Sequence, residues 1–272
     1  MISPTYTVVI AHFGDVFWIQ KTIDKSGLAN HQAVKRIYII DQNYGDQQLR
    51  KWAREYDKIR IREFPQKGTG NAHHAGALNQ FIINEFITSS HLIVMDSDLI
   101  AQDPYWLDKI SSLLKEHDAC IALDPISDYL SHPCFMALPK PALAKLDFME
   151  GMKNLRVDTG RLIGVQLDSL GLSISLLKPT PGFGGQLGYN YLDGSLFHVT
   201  SISIRQQPSR QEGKSALWIS LADSWRRWVV FSNLDKRNNK QAKYIFLMCR
   251  IMYAALFVMK RFRIKGRRIH QF

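Results

Sequence analysis

Cysteine is scarce in this sequence, which has three cysteines among 272 residues and no CxxC pair. Cys120, Cys134 and Cys249 lie far apart along the chain. This spacing excludes a scaffold built on disulfides and a zinc site built on paired cysteines. Isolated thiols of this kind suit a reducing compartment.

Long apolar runs are lacking as well. The apolar stretch at 244–259 has 16 residues and is interrupted by Arg250, whereas a transmembrane helix needs about 20 apolar residues. Residues 1–10 have no basic segment ahead of a long apolar run. We therefore expect no signal peptide and a cytosolic catalytic part.

Acidic residues are nearly missing from the last quarter of the chain. Residues 201–272 hold 16 Lys and Arg against 3 Asp and Glu, whereas residues 1–200 hold 19 against 21. The formal net charge of +11 therefore comes from the C-terminal quarter. This distribution argues against a basic, nucleic-acid-binding body at 1–200, and we expect no nucleic-acid partner.

The basic C-terminal region is also rich in tryptophan. Trp218, Trp225 and Trp228 follow a helix-compatible pattern, and six basic residues crowd into 260–268. This composition favours a helix lying in the headgroup region of an anionic membrane, and a core helix with a solvated basic tail is the alternative. We predict a catalytic domain at 1–205 and a basic, helical, membrane-associating region at 206–272.

Strand and helix patterns alternate in the first half of the chain. Apolar runs predict strands at 7–11, 36–40, 58–62 and 91–95, and helices are predicted at 46–56, 75–87 and 105–115. Further strands are predicted at 119–123, 134–138, 172–177 and 196–202, with a helix at 159–170 and a mobile loop at 179–191. This order predicts an α/β fold with a mixed, mostly parallel sheet flanked by helices.

The sharpest chemical signal is Asp96-Ser97-Asp98, directly after an apolar strand. Ligands of parallel α/β sheets bind at the carboxyl ends of the strands, so both carboxylates can face one crevice. Two carboxylates this close repel each other unless a cation lies between them. A hard divalent ion that holds a diphosphate is the natural occupant.

Two other segments are candidates for contact with a nucleotide. Asp41 and Asn43 end a predicted strand and can bind a base or a ribose, or form an Asx turn. The glycine-rich segment 68–79 leads into a helix, whose N-terminus attracts phosphate. The segment lacks the dinucleotide fingerprint, because His73 stands at the third glycine position, and it has no P-loop lysine. A structural capping role for one of the two adjacent histidines, His73 or His74, is the alternative.

Two residues of the second half are candidates for catalysis or metal binding. Asp158 is expected to cap the helix at 159–170, where the helix dipole would lower its pKa and keep it a ready base. A simple N-cap is the other interpretation. His198 lies in a predicted strand, where a lone histidine is more often structural than a ligand.

Together these segments resemble the family 2 glycosyltransferases, which have the GT-A fold. The resemblance covers roughly residues 5–202. It depends on the order of the first strand, Asp41, the segment 70–79, the DxD motif Asp96-Ser97-Asp98, Asp158, and His198.

The resemblance implies a role for each matching residue. Asp41 would hold the nucleobase, and Asp96 the ribose or a metal-bound water. Asp98 would bind Mn²⁺ or Mg²⁺, with His198 as a further ligand. Asp158 would be the general base, with inversion at the anomeric carbon. The predicted catalytic residue is Asp158, and the predicted metal ligands are Asp96, Asp98 and His198. The residues predicted to bind the nucleotide sugar are His12, Asp41, Asn43, Asn71, His73, Asn79 and Asp96.

The sequence departs from the family pattern near the predicted base. The family commonly has Glu-Asp where this chain has Val157-Asp158, and its acceptor-side signature of paired Arg and Trp is absent. Asp193 and Asp124 are therefore reserve candidates for the base. Asp193 can instead order the loop over the donor.

The resulting hypothesis is an inverting, metal-dependent glycosyltransferase on the inner face of the cytoplasmic membrane. Its donor would be a nucleotide diphosphate sugar, with UDP favoured, and its acceptor a lipid-linked glycan in surface polysaccharide or lipopolysaccharide assembly. A sugar-phosphate nucleotidyltransferase is one alternative, although no Lys or Arg follows the first strand before Lys21. A non-enzymatic adaptor that binds membranes or nucleic acid is the other. The sequence leaves the oligomeric state open.

Overall fold

The computed structural model describes residues 3–65, 70–152, 158–181 and 188–199. Its helices are α1 (Val16–Ser26), α2 (Gln47–Ala53), α3 (Asn71–Asn84), α4 (Trp106–Leu113) and α5 (Ile163–Ser169), with a 3-10 helix at Lys140–Lys145. Its strands are β1 (Tyr6–His12), β2 (Val34–Asp41), β3 (Ile59–Arg62), β4 (His91–Asp96), β5 (Leu99–Ala101), β6 (Ala119–Leu123), β7 (Ser131–Pro139), β8 (Ile174–Leu177), β9 (Thr180–Pro181), β10 (Gly188–Tyr191) and β11 (Leu196–Val199).

Seven strands form the main sheet, in the order β3-β2-β1-β4-β7-β6-β8. The pairs β2–β3, β1–β2, β1–β4 and β6–β8 are parallel. Strand β7 runs antiparallel to its neighbours β4 and β6. The predicted fold class, a mixed and mostly parallel sheet flanked by helices, is confirmed.

Apolar side chains cover both faces of this sheet. In β1, Val8 and Ile10 point into one core layer, which includes Trp106 from α4. Val9 points into the other layer, which includes Phe81 from α3. Successive side chains of a strand alternate between faces, so a continuous apolar run such as β1 is buried on both sides. Each fully buried aliphatic side chain contributes about 1.5–3 kcal/mol, which makes the central strands a rigid base for their carboxyl ends.

A second, smaller sheet has the order β5-β11-β10-β9, and its strand β5 follows shortly after the end of β4. Strand β5 has three residues and begins just after the DxD motif, where the sequence pattern predicts no strand. The segment predicted as a loop at 179–191 instead contains β9 and β10, which pair with each other. Glycine, proline and tyrosine are frequent in these short strands, and this composition is typical of a loop. Pairing between β9 and β10 nevertheless forms the edge of the second sheet.

The starts of two helices differ from the prediction by four residues. Helix α3 begins at Asn71, four residues earlier than expected, and ends at Asn84. The helix predicted at 159–170 begins only at Ile163, with Leu162 as its N-cap. The prediction that Asp158 caps this helix is therefore wrong. Gly160, with a φ of 64°, turns the chain between Asp158 and the helix.

The predicted region 206–272, with its membrane-associating helices, lies outside the described residues, and so does the boundary at 205. None of the helices in the described part of the chain combines the length and the apolar composition of a membrane-spanning segment.

Candidate active site

The DxD motif lies where β4 ends and the chain turns into β5. Asp96 is the last residue of β4, and Asp98 directly precedes β5. The turn between them is fastened to α1, because Thr22 Oγ1 donates a 2.7 Å hydrogen bond to the carbonyl oxygen of Ser97. The two carboxylates therefore project from a fixed backbone at the carboxyl end of the sheet.

Strand pairing in the second sheet brings His198 to this turn. Strand β11 pairs antiparallel with β5, with His198 opposite Leu99, and the Val199 N–H donates to the Asp98 carbonyl at 3.1 Å. His198 Nε2 lies 3.3 Å from Asp98 Oδ1 and 3.5 Å from Asp96 Oδ2. The three possible ligand atoms all lie within 4.8 Å of one another.

The three groups titrate as a coupled cluster. Burial lowers the pKa of His198, but the charge of Asp98 and hydrogen bonds to both carboxylates outweigh it and raise this pKa to about 10. Burial also raises the pKa of Asp98. For Asp96 the hydrogen bond from His198 and the charges of nearby histidines overcome burial, so its pKa is lowered. A positive charge is thus favoured between the carboxylates.

The donor set fits a divalent metal. Two carboxylates and one imidazole are oxygen and nitrogen ligands that Mn²⁺ accepts, and Mg²⁺ accepts the carboxylates. The His198 ring is buried, and its Nδ1 has no hydrogen-bond partner among the described residues. Asp96, Asp98 and His198, predicted as the metal ligands, are therefore brought together by the structure.

Asp158 lies beside this cluster, half-buried in the turn that precedes α5. Its Oδ1 accepts a 2.6 Å hydrogen bond from the Thr159 N–H, and Thr159 Oγ1 donates to the carbonyl of Asn71 at the start of α3. Burial raises the pKa of Asp158, against the lowering effects of the Thr159 N–H and of His74 and Arg161. The expectation of a pKa lowered by a helix dipole is wrong, because Asp158 does not cap a helix. A raised pKa makes the carboxylate a stronger base.

Three of the residues predicted to bind the nucleotide gather at the carboxyl ends of β1 and β2. His12 pairs with Asp41 in the strand register. Asp41 is buried, and its carboxylate accepts the N–H groups of Asn43 and Asp46. The Asn43 side chain binds both the N–H and the carbonyl of Gly14. Asp41 thus forms the Asx turn that was the alternative interpretation, and its contact with a nucleobase stays a prediction.

His73 joins this group from α3. Its Nδ1 lies 3.0 Å from Gln42 Nε2, and its Nε2 contacts the Tyr44 hydroxyl. The ring therefore ties the helix start to the loop after β2. Asn71, the first residue of α3, has an exposed side chain.

Asn79 is not brought to the other predicted residues. Its amide nitrogen donates to Asp147 Oδ1 at 2.6 Å, and its carbonyl oxygen accepts the Phe148 N–H at 2.9 Å. The side chain fastens α3 to the segment that follows the 3-10 helix. A role for Asn79 with the nucleotide stays a prediction.

The two reserve candidates for the base have different surroundings. Asp124 is buried, forms a 2.6 Å ion pair with Arg161 Nη2 and accepts the Ile126 N–H. Asp193 is exposed in the turn between β10 and β11, with a φ of 52°. Asp124 is thus engaged by Arg161, and Asp193 faces solvent, and which of the three carboxylates is the base stays a prediction.

Sequence reasoning missed His132 and Arg161. The His132 ring packs against His198 with 4.9 Å between ring centroids, and burial and His198 lower the pKa of His132 to about 3. The charge of Arg161 acts on Asp158 and His132. Neither residue has a motif around it, and only its tertiary position marks it.

No protein-family model matches the sequence, and no curated protein matches it significantly. Several solved structures are similar to it. One is the mannosyltransferase PcManGT from Pyrobaculum calidifontis in complex with GDP-Man and Mn²⁺, with a TM-score of 0.49, 14% identity, and coverage of 97% of this chain and 83% of that one. Another is glucosyl-3-phosphoglycerate synthase from Mycobacterium tuberculosis in complex with Mn²⁺, UDP and glucosyl-3-phosphoglycerate. Its TM-score is 0.46 and its sequence identity 16%, and the match covers 64% of this chain and 70% of that one. A third is 4-diphosphocytidyl-2C-methyl-D-erythritol synthase from Anaerococcus prevotii. Its TM-score is 0.42 and its sequence identity 13%, and the match covers 65% of this chain and 90% of that one.

Proposed function

We propose that this chain is an inverting, metal-dependent glycosyltransferase. It would move a sugar from a nucleotide diphosphate sugar to a hydroxyl group of an acceptor. The observation that carries the proposal is the cluster of Asp96, Asp98 and His198 at the carboxyl end of the sheet, with ligand atoms within 4.8 Å of one another. Ligand binding in this crevice is typical of open α/β sheets.

Asp96, Asp98 and His198 would hold the metal ion. A bound Mn²⁺ or Mg²⁺ supplies positive charge against the negative charge that develops on a diphosphate leaving group. The cluster already favours a positive charge at this point, since the carboxylates raise the pKa of His198 to about 10.

Asp158 would act as the general base. Its Oδ1 is occupied by the Thr159 N–H, so Oδ2 is the atom that would take the proton from the acceptor hydroxyl. The acceptor oxygen would form a bond to the anomeric carbon while the bond from that carbon to the diphosphate oxygen breaks. Attack from the face opposite the leaving group inverts the configuration.

The donor nucleotide would lie over the ends of β1 and β2. The proposed nucleotide-binding residues near these ends are His12, Asp41, Asn43, Asn71, His73 and Asp96. Asn79 is bound to Asp147 and Phe148 instead, and its role with the nucleotide stays a prediction. Two of them, His73 and Asn43, hold the loop after β2 and the loop after β1 in place through hydrogen bonds. We propose UDP as the nucleotide.

The acceptor would be a lipid-linked glycan, in surface polysaccharide or lipopolysaccharide assembly. The support comes from the sequence alone: residues 201–272 carry 16 Lys and Arg against 3 Asp and Glu. Such a segment is attracted to anionic lipids. The enzyme would therefore be peripheral, on the inner face of the cytoplasmic membrane, with its catalytic domain at 1–205.

Thermal shifts with nucleoside diphosphates test the donor site. We expect a rise in melting temperature that requires both the nucleotide and Mn²⁺, because a ligand that binds only the folded state stabilises it. The same rise is expected for Asp168→Asn, a matched change at an exposed aspartate of α5. Asp98→Asn should abolish it. Equal shifts in EDTA would contradict a metal-dependent site.

Product analysis tests the reaction class. Transfer should release a free nucleoside diphosphate, whereas release of pyrophosphate would indicate nucleotidyl transfer. Asp158→Asn should lower kcat by about 10²–10⁴-fold, the usual contribution of a general base, with donor affinity unchanged. An Asp158→Asn variant with full turnover would place the base elsewhere.

A further inference from the structure

His132 lies behind the metal-binding cluster on a different strand. Strand β7 pairs antiparallel with β4, with Phe135 opposite Met95. The first residues of β7 therefore extend past Met95, along the end of β4 where the DxD motif lies. This places the His132 ring edge-to-face against the His198 ring, with 4.9 Å between centroids and 62° between planes.

The orientation of the His132 ring is itself fixed. The Cys134 N–H donates a 3.1 Å hydrogen bond to His132 Nδ1. Because Nδ1 accepts this hydrogen bond, the proton of the neutral ring is on Nε2. His132, Cys134 and His198 have ligand atoms within 4.8 Å of one another. A ring that accepts at Nδ1 and carries its proton on Nε2 has no free lone pair for a metal, so this second group does not suit a metal site.

The other nitrogen of His198 has an unusual environment. A metal-binding histidine generally donates its second ring N–H to a carboxylate or a carbonyl, and this hydrogen bond sets the plane of the ring. His198 Nδ1 is buried without such a partner among the described residues. The His132 ring packs against this imidazole.

We propose that His132 is a positioning residue for the metal-binding cluster. Its ring holds the plane of the His198 imidazole so that Nε2 faces Asp96 and Asp98. The inference depends on the proposed metal-binding function. It predicts that the metal affinity of the cluster depends on an aromatic ring at position 132 more than on the nitrogens of that ring.

The test is the affinity of the full chain for Mn²⁺, measured by electron paramagnetic resonance without donor or acceptor. His132→Ala should weaken Mn²⁺ binding by about tenfold or more, the usual effect of losing an outer-shell partner. His132→Phe should bind within about threefold of the original chain, because a planar aromatic ring is retained. His132→Leu keeps most of the volume but not the planar edge, and should resemble His132→Ala.

His91→Ala is the matched control. His91 also packs its ring against an aromatic side chain, that of Tyr6, with 6.2 Å between centroids, but it begins β4 at the opposite end of the strand from Asp96. This change should lower the melting temperature of the metal-free chain without changing the affinity for Mn²⁺.

The outcomes separate the inference from the proposed function. Unchanged Mn²⁺ affinity in His132→Ala and His132→Leu would overturn the positioning role and leave the metal site intact. Weakening in His132→Phe equal to that in His132→Ala would also overturn it, since the ring would then not be the required feature. An original chain that binds no Mn²⁺ would overturn the metal site and the inference together.

Discussion

Acid should destabilise this protein in part through His12. The residue ends β1, is fully buried, and has neither ring nitrogen hydrogen-bonded among the described residues. Burial lowers the pKa of His12 from 6.5 to about 4, against the opposing charges of Asp41, Asp46 and Asp15. A charged imidazole in this position would lose its hydration without gaining a hydrogen bond.

The sign follows from proton binding. Between pH 6.5 and about 4 the unfolded chain holds a proton on His12 that the folded chain does not. Above pH 6.5 the ring is neutral in both states, and the free energy of unfolding carries no penalty from His12. As the pH falls toward the folded pKa of about 4, protonation stabilises the unfolded chain and the free energy of unfolding decreases. At about 1.4 kcal/mol for each pKa unit, the loss is about 3 kcal/mol.

The assay is the free energy of unfolding from urea titrations at several values between pH 7 and pH 4. His12→Leu should reduce the decline in stability over this range by about 3 kcal/mol, because it removes the titrating group. Ile10→Val is the matched control: it alters the core in the same strand and keeps His12, so its pH dependence should follow that of the original chain. Identical pH dependence in His12→Leu would refute the reasoning.

Three further substitutions test how the site is held. Gly160→Ala should destabilise the fold by about 1–3 kcal/mol in urea titrations, because its φ is 64° and a Cβ would lie 3.0 Å from a packed ring. Gly188→Ala should weaken Mn²⁺ binding in a paramagnetic resonance titration, because a Cβ there would overlap the carbonyl oxygen of His198 and displace β11. Asp124→Asn should lower the free energy of unfolding by about 3 kcal/mol at neutral pH, because it leaves the Arg161 charge without its buried partner.

The sequence predicted those parts of the fold whose signal is local. Apolar runs of β-branched residues located β1, β2 and β4 to within a few residues, since burial on both faces requires a continuous run. The same runs placed the DxD motif at a strand end. By contrast, β5 has three residues, and β9 has two. Segments this short carry no periodicity, and they are strands only because β11 and β10 lie beside them.

The prediction for Asp158 shows where local rules fail. An aspartate before a helical pattern favours an N-cap, but Gly160 turns the chain first and the helix starts at Ile163. The raised pKa of Asp158 comes from burial. Burial depends on what other segments place around the side chain, so neither its direction nor its cause was accessible from neighbours in sequence.

The sequence by itself determined the class of fold, the pair of carboxylates at the end of β4, and the restriction of excess positive charge to the C-terminal quarter. Each of these depends on residue type and spacing within a short segment. The tertiary structure decided which side chains share the site. Pairing of β5 with β11 joins residues about one hundred positions apart and sets His198 Nε2 3.3 Å from Asp98. The register between strands that are distant in sequence cannot be predicted from a local pattern of residues. The pairing of β11 with β5 places His198 at the carboxylates, and the pairing of β7 with β4 places His132 beside it.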